Sequence, residues 1–175
     1  MIITPQQSQK YLRLLNADSL LHTKPLKKLP DIMVYNKNRR DHFVAFNKQG
    51  KQMGYMIAYP VHVSNPDTFY KLEEYISFFI KRLFINKEYR GQGAGTALLN
   101  AANKLSCTPV CEGRVHLIAR KIFDAQVHPQ KFYRKAGFDS RRKGHIERID
   151  WAIKNNKPLP SDFFWETPMF LNRNL

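Results

Sequence analysis

Arg90-Gly91-Gln92-Gly93-Ala94-Gly95 is the stretch whose reading decides the fold. It follows a strand-like run, Phe78-Phe79-Ile80-Lys81-Arg82-Leu83-Phe84-Ile85, and opens a helix-like one, Thr96 to Leu105. Glycines alternating at a strand-to-helix junction let the backbone come close to a ligand, with several N–H groups aimed the same way. The helix start adds unpaired donors and the positive end of its dipole, so the junction suits an anion, most often a phosphate. Arg90 adds a permanent charge at its edge. The bland alternative is a tight connection that needs small residues. Two well-known phosphate loops do not fit. The Walker pattern requires Gly-Lys-Ser/Thr, which does not occur here. The dinucleotide fingerprint needs its third glycine one residue later, where Thr96 stands, although Glu112 lies at a tolerable distance for a ribose-binding acid.

Working outward, the chain of 175 residues suits one domain, residues 1–175, large enough to bury a core. Hydrophobic residues at 43% and aromatics at 13% argue against disorder. There is no apolar run of about twenty residues, so no membrane span is expected. The N-terminal Met1-Ile2-Ile3-Thr4-Pro5 lacks the features of a signal peptide, which makes a cytoplasmic protein the expectation. Cys107 and Cys111 are too few for a disulfide framework and have no His/Cys pair at zinc spacing, so no metal is expected. A nucleophilic cysteine would need a positioned histidine and an orienting group, and none is evident. The 29 basic against 14 acidic residues give a net charge of +15. The positives cluster at Lys24-Lys27-Lys28, Lys37-Arg39-Arg40, Lys131-Arg134-Lys135 and Arg141-Arg142-Lys143. Such a surplus suggests an acidic partner such as RNA, or simply a solvated basic surface.

Hydrophobic periodicity predicts a helix over Gln6 to Leu21 and strands at Asp31–Tyr35, His42–Phe46, Met53–Val63 and Glu73–Ile85. Asn47-Lys48-Gln49-Gly50-Lys51 reads as a turn. In the helix after the glycine loop, Ala94, Leu98, Ala101, Ala102 and Leu105 make an apolar stripe. A strand at Val115–Ala119 follows, then a short helix that Pro129 opens and Gly137 closes. A helix over Ile146–Ile153 and a last strand, Phe163–Leu171, complete the pattern, with a helical insertion at about 145–160. Antiparallel strands leading into a glycine loop and helix argue for a mixed α/β sandwich.

The order Leu83-Phe84-Ile85, Arg90 to Gly95, Ala97-Leu98-Leu99 resembles the acetyl-CoA-binding segment of the GNAT superfamily of N-acetyltransferases. Phe132-Tyr133-Arg134-Lys135-Ala136-Gly137-Phe138 is similar to a second family segment, where a helix ends at a glycine and a strand begins. The two matches run from about Ile76 to Phe138. The resemblance implies an α+β fold: a mixed, mostly antiparallel twisted sheet with helices on both faces, splayed where acetyl-CoA enters. It implies that the backbone of Leu83, Phe84 and Ile85 pairs with the pantetheine arm. Arg90, Gly91, Gln92, Gly93, Ala94, Gly95 and Thr96 would hold the pyrophosphate, and Gln126 would stand where the family often has an asparagine on the same arm. Tyr133 would protonate the departing thiolate. Glu74 is put forward as the base, at the start of a strand where some members carry a carboxylate; His128 is the other option. The expected function is acetyl transfer from acetyl-CoA, as cosubstrate, to a primary amine. The alternatives are a basic RNA- or ribosome-binding module and a CoA-binding pseudoenzyme. The amine acceptor stays unassigned, and a homodimer stays open.

Overall fold

The computed structural model describes residues 32–36, 41–64, 74–120, 128–140, 143–160, 163 and 166–171. The expected helix over Gln6–Leu21 and the basic pairs Arg39-Arg40 and Arg141-Arg142 lie outside these residues, as does Gln126. The chain divides into two compact units, one up to Val115 and one from His116 onward.

The first unit is a meander. Strands β1 (Ile32–Asn36), β2 (His42–Asn47), β3 (Gln52–Ser64) and β4 (Glu74–Ile85) pair in chain order, each antiparallel to the last. The β2–β3 turn forms where expected. Asn47 Oδ1 accepts from the amides of Gln49 (3.0 Å) and Lys51 (2.9 Å), and Gly50 takes φ +73°. On β3, Met56 and Ala58 are fully buried, while Tyr55, Ile57 and Tyr59 on the opposite face are half-buried. Helix α1 (Ala94–Ser106) packs against all four strands. The expected stripe of Ala94, Leu98, Ala101, Ala102 and Leu105 is buried, and so are Leu99, Asn103 and Ser106 on its flanks. Small side chains let this helix approach the sheet closely.

Two features of β4 bear on the site. Ile57 stands opposite Arg82 and Ala58 opposite Ile80, so Lys81 is an extra residue, a β-bulge. Beyond it, Gly54 faces Ile85 so closely that a Cβ on Gly54 would lie 2.3 Å from the carbonyl oxygen of Phe84 and 3.0 Å from Ile85 Cα. A backbone atom cannot yield as a flexible side chain can. Gly54→Ala is therefore expected to push β3 and β4 apart and cost about 2–3 kcal/mol, in the upper part of the range for overpacking. Urea unfolding checks this; an unchanged midpoint would mean the strands separate freely.

The second unit holds β5 (Val115–Arg120) from its second residue on, α2 (Pro129–Lys135), α3 (Lys143–Lys154) and β6 (Glu166–Leu171). Strands β5 and β6 are neighbours running in opposite senses, with Arg120 paired to Glu166 (3.0 Å) and the His116 ring stacked on Phe170. Helix α2 has the predicted limits, with Pro129 at its first turn and Gly137 at φ +94° just past its end. A seven-residue helix cannot hold itself in water. Arg134 fastens it: its guanidinium makes a fork to Asp150 on α3 (2.7 and 2.8 Å) and also pairs with Asp139. Asp139 in turn exchanges both backbone hydrogen bonds with Phe170 of β6. Helix α3 is longer than the predicted Ile146–Ile153. The last strand is shorter than predicted, because Phe163 bonds back to the Pro160 carbonyl and packs its ring on His145 and Arg148 of α3. Phe163 thus belongs to a turn under the helix. The fold class is α+β.

Candidate functional site

The loop begins where β4 ends. After the bulge, Leu83 faces Met56, Phe84 faces Tyr55 and Ile85 faces Gly54. Leu83 and Ile85 are half-buried, and Phe84 is 44% exposed with its ring 5.6 Å from that of Tyr55. Asn86 then pins the exit: its amide donates to Met53 O (2.9 Å) and its side-chain nitrogen to Gln52 O (3.0 Å). A 3-10 turn over Lys87–Tyr89 follows, and Gln92 Nε2 braces it by donating to Glu88 O (2.8 Å). Arg90 is exposed, spends only its Nε on the Ile85 carbonyl (3.4 Å), and has no ion pair among the described residues.

Gly91 and Gly93 both lie in the left-handed region, at φ +77° and +91°. A Cβ on Gly91 would meet nothing within 4 Å, so its backbone conformation, not crowding, calls for glycine there. Gly93 caps α1, and Gly95 is buried within the helix's first turn. The first helical bond runs from the Ala97 amide to Gly93 O (2.9 Å). The amides of Gly91, Gly93, Ala94, Gly95 and Thr96 find no acceptor among the described residues. Unpaired donors of this kind at a helix start attract an anion, and a phosphate oxygen has the charge and lone pairs to take several at once. An acetyl-CoA pyrophosphate fits this set, with Arg90 beside it.

Glu74 is the first residue of β4, in register with Ser64. Its neighbour Tyr75 lies under the guanidinium of Arg114, which also pairs with Glu112. That ion pair accounts for Glu112 without a ribose. Tyr133 sits on α2 in the second unit, 9% exposed, with its ring 5.2 Å from Phe132 and 5.9 Å from Phe138. Helix α2 turns Gln130 and Tyr133 inward and leaves Phe132 half-buried. Burial alone pushes the Tyr133 phenol from 10.0 up to about 12. His128 precedes the helix without capping it through its side chain. Cys107 ends α1 with its thiol on Asn103 O (3.2 Å), and buried Cys111 is pushed up to about 11, chiefly by desolvation. A thiol held protonated in this way is no nucleophile. Sequence reasoning missed Lys81 and Gly54. A glycine inside a strand and two cations interrupting an apolar run were the available signals.

The two raised acids make stability depend on alkaline pH. Both are neutral when folded and ionise sooner when unfolded, so the unfolded chain binds fewer protons and stability falls as pH rises. Cys111 contributes from pH 9.0 to about 11 and Tyr133 from 10.0 to about 12. Each is expected to remove about 1.4 kcal/mol per pH unit within its window. Urea unfolding between pH 8.5 and 11.5 checks this, and Tyr133→Phe should flatten the upper part of the curve. An identical slope in the variant would remove Tyr133 from the account.

Among the described residues, no helix is long and apolar enough to cross a membrane, and no group of His, Cys, Asp or Glu could hold a metal. No curated relative matches the sequence. Among solved structures, PH1933 of Pyrococcus horikoshii OT3 is 19% identical, with 77% of this chain and 66% of that one covered at a TM-score of 0.45. Naa50 of Arabidopsis thaliana, solved with the bisubstrate analogue CoA-Ac-MVNAL, is 15% identical, with 94% and 93% covered at 0.46. The N-acetyltransferase YlbP of Bacillus subtilis, solved with coenzyme A, is 14% identical, with 75% and 67% covered at 0.43. Residues 38–140, more than half of the chain, match the family model of the acetyltransferase (GNAT) domain. That span contains β2 to β5, the glycine loop, α1 and α2, and the chain belongs to the GNAT acetyltransferase family.

Proposed function

We propose that this chain transfers the acetyl group of acetyl-CoA to a primary amine by direct attack. The observation that carries the reading is the set of amides at Gly91, Gly93, Ala94, Gly95 and Thr96 that find no acceptor among the described residues, on a backbone turn that two left-handed glycines make possible. In this reading those amides and Arg90 hold the pyrophosphate, and the backbone of Leu83 to Ile85 lines up the pantetheine arm. Gln126 is assigned to the same arm. The chain is taken as one catalytic domain over residues 1–175, with about 145–160 as an insertion before β6.

Transfer requires the reactants held together, a neutral amine and a donor for the departing sulfur. A lysine-like amine near pKa 10.4 is neutral about once in a few thousand molecules at pH 7. Glu74 is assigned to take the amine proton as the C–N bond forms. Tyr133 is assigned to the sulfur as the C–S bond breaks. A phenol pushed to about 12 stays protonated at every working pH. It is also a weaker acid than the coenzyme thiol, near pKa 8.5, so its main contribution is a hydrogen bond to the developing thiolate.

Calorimetric titration with acetyl-CoA tests the first half of the proposal, and stoichiometric binding is expected. For the second half, a panel of a polyamine, an aminoglycoside, a peptide with a free N-terminus, a lysine peptide and an aminoacyl-tRNA is incubated with acetyl-CoA. A product heavier by one acetyl group, read by mass spectrometry, names the acceptor class. A chain that binds no acetyl-CoA at all would end the proposal.

A further inference from the structure

Helix α2 buries two side chains, Gln130 and Tyr133. They stand three residues apart, so they share one face of the helix. Apolar residues normally make such a face, and glutamine is mostly found exposed. Here Gln130 is 1% exposed while Phe132 is half-buried. The side-chain oxygen of Gln130 has no hydrogen-bond partner among the described residues. Burying a carboxamide acceptor without a donor opposes folding. Methionine or leucine would fill nearly the same volume without that penalty. A buried acceptor left open among the described residues, one turn from the residue assigned to the thioester, is placed to take a donor from a bound molecule.

We propose that Gln130 is a substrate-binding residue whose Oε1 accepts an N–H from a bound reactant. The inference rests on the reading of Tyr133 given under the proposed function. An uncharged carboxamide oxygen suits a single N–H···O bond. The reaction offers such donors in two places, the amide groups of the pantetheine arm and the acceptor amine itself. The chemistry is the same for both, and the measurement separates them.

Gln130→Met removes the acceptor and keeps the volume. Its Tm is expected to equal that of the unmodified chain or to rise by about 2–4 °C. One binding constant should weaken about tenfold, the effect of a donor left unpaired. A weaker Kd for acetyl-CoA by calorimetry, with an unchanged KM for the panel's best amine, assigns the pantetheine arm. The converse assigns the amine. Unchanged values of both would overturn the proposal and leave Gln130 a packing residue. So would a Tm lowered by more than about 4 °C in both Gln130→Met and Gln130→Leu, because the carboxamide would then be bonded within the fold. A chain that fails to bind acetyl-CoA before any substitution rejects the proposed function instead, so the two failures are distinct.

Discussion

Gly93→Val abolishes coenzyme A binding and leaves a chain that still unfolds cooperatively: this is the largest expected effect of any single substitution here. Gly93 sits at φ +91°, where a β-branched residue is a genuine outlier. Valine would draw the backbone toward negative φ and re-aim the amides of Gly93, Ala94, Gly95 and Thr96. Those are the groups that have no other acceptor among the described residues. Losing two or more charge-assisted bonds, each worth about 1.5–3 kcal/mol, weakens binding by at least about a hundredfold. Gly95 is a poorer target, since it is buried inside α1 and a larger side chain there would disturb the packing. Gly50→Val is the matching control. It carries similar strain at φ +73° with nothing within 4 Å of its Cβ, but in the β2–β3 turn. Calorimetry should find Gly50→Val binding coenzyme A normally and Gly93→Val not at all. Normal binding by both would mean the cradle is wrongly assigned.

Tyr133→Phe is expected to lower kcat about a hundredfold, the low end of what general acid catalysis supplies. The low end follows from the environment, because a phenol at about 12 contributes a hydrogen bond more than a proton. Phenylalanine keeps the ring contacts with Phe132 and Phe138, so Kd for acetyl-CoA and Tm should stay near those of the unmodified chain. The pH profile adds a second reading. No alkaline fall in kcat should trace to Tyr133 below about pH 11, and any fall between pH 8 and 10 should persist in the variant. Full kcat in Tyr133→Phe would reduce the residue to packing.

The sequence was most informative where backbone chemistry is local. Gly50, Gly93 and Gly137 each end or start an element at positive φ, as their neighbours' pattern suggested. Pro129 opens α2, and the small-residue stripe of α1 is buried as read. Long-range geometry was less legible. Lys81 reads as one more residue in a strand, and only pairing with β3 reveals that it has no opposite number. The face that α2 buries is not legible in hydrophobicity, since Gln130 is inward and Phe132 half-buried, and it depends on contacts made at long range. Arg134, gripping Asp150 on α3 and Asp139, makes one such contact. Phe163 failed as a strand residue for the same reason, since its partners come from α3. Glu74 begins β4 as the periodicity suggested, but a chemical role for it was never contained in spacing alone.

The bulge at Lys81 separates two properties of a strand that usually travel together. Ile80 points inward and Arg82 outward, as they would in an unbroken ladder if Lys81 were absent. The extra residue therefore leaves the inside–outside assignment intact and adds only local bend and twist. Curvature at the end of β4 is encoded by the number of residues there, independently of their chemistry. In a lineage of such chains, the path of the strand toward the glycine loop could be redrawn by gaining or losing one codon, with the core contacts upstream retained.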